Sequence, residues 1–71
     1  MKPESGAILA NGTREQVELP CTVAEFVTAH GWKSTQVVIE CNGHVLKRDE
    51  LDRVMLGDGD QLEIIVPVAG G

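Results

Sequence analysis

The feature that most constrains the fold is a pair of Asn-Gly dipeptides, each set between two apolar runs. Asn11-Gly12 lies near the start of the chain and Asn42-Gly43 lies in its second half. A two-residue type I′ turn needs a positive φ at both central positions, and Asn-Gly adopts that conformation at little cost. The sequence therefore predicts two β-hairpins, the first beginning at Ala7 after a flexible lead-in.

A single helix is predicted between the two hairpins. Thr22 and Glu25 have the spacing of a capping box, in which each side chain bonds to the backbone amide of the other residue. Apolar residues then recur at helical spacing around Phe26, and Gly31 stands where a left-handed residue would end the helix. The neighbouring Cys21 and His30 are interpreted as a packing residue and a helix-end residue, respectively.

The stretch from Leu62 to Val68 is apolar on part of both faces, which is typical of a strand in the middle of a sheet. Val66 and Val68 are predicted to continue the inward face of Leu62 and Ile64. Pro67 cannot donate a hydrogen bond to a neighbouring strand, so the chain is expected to leave the sheet at about that residue.

Composition excludes several classes of function. The formal net charge of −5 disfavours binding to a phosphate backbone, and no apolar run is long enough to span a bilayer or to form a signal peptide. We therefore expect a cytoplasmic protein that binds neither nucleic acid nor membrane. The cysteines and histidines do not have the paired spacing of a zinc site, so neither a metal nor a bound cofactor is predicted.

The order of elements and several short motifs together resemble a known family. The motifs are Asn11-Gly12, Thr22 to Phe26, Val37 to Gly43, Arg48, Leu56, Gly59-Asp60 and the terminal Ala69-Gly70-Gly71. They are similar to the sulfur-carrier proteins of thiamine biosynthesis, the ThiS-like members of the ThiS/MoaD superfamily. The resemblance implies an α+β, ubiquitin-like β-grasp, with a mixed sheet of about five strands packed on one helix. Residues 1–6 would be the lead-in, 7–68 the domain and 69–71 a flexible, protruding Gly-Gly tail.

The same resemblance implies a protein cosubstrate rather than an enzyme. Gly71 would be adenylated with ATP by a ThiF/MoeB-like adenylyltransferase and converted to a thiocarboxylate, whose sulfur would go to a ThiG-like thiazole synthase. ATP would be used by that partner and not held by this chain, which would be a monomer when alone.

A docking surface is expected near the tail. Ile65, Ala69 and Gly70 are the candidate partner-binding residues, with acidic side chains at Asp58, Asp60 and Glu63 to orient a basic partner. A solvated turn with scattered surface aliphatics remains the alternative interpretation.

Alternatives of function also remain open. Pro67-Val68 before the tail is similar to the small subunit of molybdopterin synthase, which shares the fold and the chemistry but passes its sulfur to another acceptor. A ubiquitin-like modifier that forms an isopeptide bond through Gly71 is a further possibility, as is a β-grasp binding module without carrier chemistry.

Overall fold

Both predicted hairpins are present in the computed structural model of the protein, which describes residues 4–67. The φ angles at Asn11 and Gly12 are 51° and 80°, and those at Asn42 and Gly43 are 52° and 87°. These are the positive values that a type I′ turn requires. The strands are β1 (Glu4–Ala10), β2 (Thr13–Leu19), β3 (Val38–Cys41), β4 (His44–Leu46) and β5 (Gln61–Ile65), and the helix is α1 (Val23–Ala29).

The first strand begins earlier than the sequence indicated. Ala7 was the predicted start of order, whereas β1 begins at Glu4 and pairs there with Leu19. The lead-in prediction is therefore wrong for residues 4–6, because backbone pairing with the seven-residue strand β2 orders them although they bring few apolar side chains. The remainder of that predicted segment, residues 1–3, lies outside the described residues.

The predicted ends of the helix are confirmed. Thr22 Oγ1 accepts from the Glu25 amide at 3.0 Å, and Glu25 Oε1 accepts from the Thr22 amide at 2.9 Å, which completes the capping box. At the other end Gly31 has a φ of 84°. The Gly31 amide donates to the Thr28 carbonyl, and the Trp32 amide donates to the Val27 carbonyl, as in a Schellman motif.

The strands form one mixed sheet in the order β2-β1-β5-β3-β4, with β1 and β5 parallel and the other pairs antiparallel. The last strand is thus central, as predicted from its apolar character. Helix α1 packs on one face of the sheet, and the fold is the predicted ubiquitin-like β-grasp. The buried core comprises Ile8, Ala10, Val23, Phe26, Val27, Ile39, Cys41, Leu51, Leu56, Leu62 and Ile64.

The connection between β4 and β5 packs against the start of α1. It begins with a short 3-10 turn, Arg48–Glu50, and buries Leu51 and Leu56, whereas Met55 is 51% exposed and does not anchor it. The carbonyls of Leu51 and Val54 accept hydrogen bonds from the first amides of α1, at 2.8 and 3.0 Å. These amides have no partner within a helix, so the connection satisfies donors that would otherwise need water.

The carboxyl end of β5 differs in one respect from the prediction. Regular pairing ends at Ile65, close to Pro67 as expected, but Val66 is 51% exposed rather than inward-facing. A side chain alternates between faces only while the strand continues, and here the strand has already ended. Val68 lies outside the described residues. No helix in the described part of the chain has the length and apolar character to cross a bilayer.

Candidate functional site

The predicted site residues lie at and beyond the carboxyl end of the central strand. Ile65 is the last residue of β5 and is 44% exposed. Ala69, Gly70 and Gly71 lie outside the described residues. The part of the site that the structure describes is therefore the surface around Ile65.

Ile65 belongs to a contiguous surface on the face of the sheet opposite the helix. Its neighbours in β5 and β3, Ile64 and Ile39, are buried in the core. Because strand side chains alternate between faces, the residues on either side of these positions point the other way. The register places Val38 opposite Ile65, Glu40 opposite Glu63 and Val45 opposite Glu40. We call this surface the outer patch: Val38, Glu40, Val45, Glu63 and Ile65.

Charge in the outer patch is concentrated on a pair of opposed carboxylates. Glu40 and Glu63 are directly paired on adjacent antiparallel strands. Like charges in this arrangement destabilise a sheet. Among the residues that the structure describes, no Lys or Arg lies within ion-pair distance of either carboxylate. The outer patch thus combines exposed aliphatic side chains with two acidic side chains on adjacent strands.

The structure does not bring the other predicted acidic residues to Ile65. Asp58 Oδ1 accepts from the Ala7 amide at 2.8 Å, and Asp60 Oδ2 accepts from the Gly57 amide at 2.7 Å. Both carboxylates thus hold the turn that precedes β5. Ile65 lies five residue steps after Asp60 along an extended chain, a distance of roughly 16 Å.

Glu40 was missed at the level of sequence, although it lies beside Glu63 in the patch. The two residues are far apart in the chain and become neighbours only through the antiparallel pairing of β3 with β5. Alternation along Val38, Ile39 and Glu40 could indicate that Glu40 and Ile39 lie on opposite faces, but the strand order is needed to place Glu40 next to Glu63.

The two thiols are not activated. Cys21 packs against the core as predicted, and Cys41 is 8% exposed. Burial raises the pKa of Cys21, with a smaller contribution from the nearby Glu25 carboxylate. Burial likewise raises the pKa of Cys41, assisted by Asp60. Since the thiolate is the nucleophilic form, both environments disfavour thiol chemistry.

His30 has a structural environment at the end of α1. Its Nε2 lies 2.7 Å from Glu15 Oε1 and its Nδ1 lies 2.9 Å from the carbonyl oxygen of Phe26. Both partners are acceptors, so the doubly protonated ring can donate to each. The hydrogen bond to Glu15, and then that to Phe26, raise the pKa of His30. The ring thus ties the helix to β2, which agrees with the predicted helix-end role.

Within residues 4–67, no three His, Cys, Asp or Glu side chains converge as they would around a metal ion. The free thiols, the His30 ring and the turn carboxylates each have a structural partner or a buried setting. The arrangement that remains is a β-grasp domain with an apolar and acidic face on β3, β4 and β5.

Comparison with known proteins identifies the family. The sequence model of the ThiS family matches residues 7–71. A crystal structure of the thiamine biosynthesis protein ThiS from Geobacter metallireducens is similar with a TM-score of 0.77 and 29% identity, over 92% of this chain and 99% of that one. A solution NMR structure of a thiamine biosynthesis protein from the same organism gives a TM-score of 0.76 at 29% identity, over 92% and 87% of the two chains. Among curated proteins, none matches this chain.

The chain therefore belongs to the ThiS family, which confirms the resemblance carried by its sequence motifs. Members of this family are small sulfur carriers rather than catalysts. The match supports a sulfur carrier of thiamine biosynthesis.

Proposed function

We propose that this chain carries sulfur as a thiocarboxylate on Gly71 and delivers it to a thiazole synthase in thiamine biosynthesis. The observation that supports this proposal most directly is that the family match includes the Ala69-Gly70-Gly71 segment. Glycines lack a Cβ, so the backbone at Gly70 and Gly71 can enter a narrow channel in an extended form. In the sequence this segment follows shortly after β5, the central strand of the sheet.

The chemistry has two steps, both at the α-carboxylate. A carboxylate oxygen of Gly71 attacks the α-phosphorus of ATP in a ThiF/MoeB-like adenylyltransferase, and pyrophosphate leaves. A sulfur donor at the oxidation level of sulfide then displaces AMP from the acyl-adenylate and leaves the thiocarboxylate. The carrier itself supplies no acid or base; its contribution is to hold reactive sulfur on a macromolecule that partners recognise, as other group carriers do.

The proposal is tested by loading the protein with its cognate adenylyltransferase, ATP and a sulfide donor. Intact mass spectrometry should show a gain equal to the exchange of one oxygen for one sulfur, and fragmentation should place it at Gly71. A reaction without ATP is the control, because adenylation must precede sulfur transfer.

The other outcomes separate the alternatives. An unchanged mass with an adenylyltransferase that loads its own control carrier would count against both sulfur-carrier readings. Conjugates joined from Gly71 to lysine would instead support a modifier. A stable complex with the large subunit of molybdopterin synthase, without sulfur transfer to thiazole synthase, would support the molybdopterin acceptor.

The outer patch is the docking surface in this proposal. Its exposed aliphatic residues, Val38, Val45 and Ile65, supply apolar contact, and Glu40 with Glu63 accepts a basic side chain of the partner. Burying an aliphatic anchor while pairing two repelling carboxylates would give both affinity and orientation. The adenylyltransferase and the thiazole synthase would then use the same face in turn.

Ile65→Asp is expected to raise the KM for the carrier by about 10- to 30-fold, because a charge replaces an anchor of the docking surface. The kcat at saturation should change little. Leu9→Asp is the matched control: Leu9 is a similarly exposed aliphatic residue, 37% against 44%, but pairs with Gln61 at the other end of β5. Steady-state loading kinetics measure both variants, and equal KM values for the two would remove the patch from the interface.

A further inference from the structure

The side chain of Asn11 makes contacts that its role in the turn does not require. Its Oδ1 accepts a hydrogen bond from the Ile64 amide at 2.7 Å, and its Nδ2 donates to the Ile64 carbonyl at 3.3 Å. A glycine at this position would provide the positive φ of the turn equally well. The carboxamide therefore has a second purpose, directed at the strand that leads to the C-terminus.

The contacts of Asn11 extend a ladder that the backbone cannot continue. Where β1 and β5 run side by side, the Leu9 amide donates to the Asp60 carbonyl and the Asn11 amide donates to the Leu62 carbonyl, both at 2.9 Å. After Asn11 the chain turns away into β2. The Asn11 carboxamide, which has the same donor and acceptor groups as a peptide, supplies the next rung at Ile64.

The hydrogen bonds from the Asn11 side chain lie where β5 would otherwise be paired on one side alone. Strand β3 accompanies β5 up to the pair Val38 and Ile65, whereas the backbone pairing with β1 ends at Leu62. At Ile64 the side of β5 that faces β1 is held by the Asn11 side chain. A strand held on one edge can splay or fray, and its last residues then point in many directions.

The second Asn-Gly turn holds the opposite end of the same strand. Asn42 Oδ1 accepts from the Gln61 amide at 2.9 Å, and Asn42 Nδ2 donates to Asp60 Oδ1 at 3.1 Å. The two turn asparagines thus brace β5 from different sides, one at its beginning and one near its end. Asn42 is accordingly a matched control. It is the same residue type in the same type of turn and it contacts the same strand, but at the end of β5 that is farther in sequence from the C-terminus.

We propose that Asn11 is a positioning residue for sulfur loading: its carboxamide fixes the direction in which β5 passes the chain beyond Ile65 to a partner enzyme. This inference rests on the proposed carrier function. A reacting carboxylate several residues farther on is sensitive to such alignment, since a misplacement of about 1 Å can cost roughly 10²-fold in rate. Asn11 is not one of the residues of the outer patch.

Asn11→Gly removes the side-chain hydrogen bonds to Ile64 and preserves the turn, because glycine adopts the positive φ without strain. We expect the Ile64 amide to exchange with solvent about tenfold faster or more by NMR, with the Ile39 amide still protected. In loading kinetics, kcat should fall by roughly tenfold or more while KM for the carrier stays near the wild-type value. Asn42→Gly should accelerate exchange at Gln61 instead and keep the wild-type kcat.

Amide exchange tests whether Asn11 braces β5, and the loading kinetics test whether this bracing positions the C-terminus. Unchanged Ile64 exchange in Asn11→Gly overturns the bracing contact, and equal kcat values for the two folded glycine variants overturn the positioning role. Asn11→Asp keeps the acceptor for the Ile64 amide but loses the donor to its carbonyl, and it serves if the glycine variant does not fold. A wild-type chain that is never loaded would overturn the proposed function, while the exchange comparison would still decide whether Asn11 braces β5.

Discussion

Appending one glycine after Gly71 is expected to abolish sulfur loading while leaving the free energy of unfolding unchanged. The added residue moves the free carboxylate by about 3.5 Å, which is the reach of one extended residue. Displacement on this scale exceeds the roughly 1 Å that can already cost about 10²-fold in a positioned reaction. The fold should be unaffected because β5 ends at Ile65, well before the addition.

Loading of the extended variant is measured by intact mass and by ATP–pyrophosphate exchange, and stability by urea denaturation. A chain with one glycine added before Met1 is the matched control, since it has the same composition and an unaltered C-terminus. The control should load as the wild type does. If the C-terminally extended variant loads fully, the terminal carboxylate is not the acceptor, whatever the family match implies.

Local chemistry explains why much of the fold was predictable. The Asn-Gly turns, the capping box and Gly31 each depend on residues close in sequence, and all are present. The predicted start of β1 was wrong because the prediction considered only how much apolar surface residues 4–6 could bury. Pairing about a two-residue turn, which matches Ala10 to Thr13, carries on to match Glu4 to Leu19, so the length of β2 was the better guide.

The candidate site was harder to predict from the sequence than the fold, because it arises from pairing between segments that are distant in the chain. β5 inserts between β1 and β3, and only then does Glu63 meet Glu40 and does Asn11 reach Ile64. Nothing near Asn11 in the sequence indicates this contact, and a turn asparagine is already explained by its φ. Ile65 was identified from its own strand because alternation alone places it opposite the buried Ile64.

Phe26→Ala is expected to lower the free energy of unfolding by about 3–5 kcal/mol, the usual cost of truncating a buried aromatic residue. Phe26 is 2% exposed and lies in the core cluster with Val23 and Val27 of the same helix. Single domains are stable by only about 5–15 kcal/mol, so this one change would remove a large share of the total. Urea denaturation followed by circular dichroism measures the loss.

Met55→Ala is the control for Phe26→Ala, because Met55 is also large and apolar but 51% exposed. Truncating Met55 should lower the free energy of unfolding only slightly, since about half of its surface is exposed to water in the folded protein. If Phe26→Ala leaves the domain unfolded without denaturant, Phe26→Leu should give a smaller, measurable loss. Near-wild-type stability of both Phe26 variants would mean that the helix does not depend on this face.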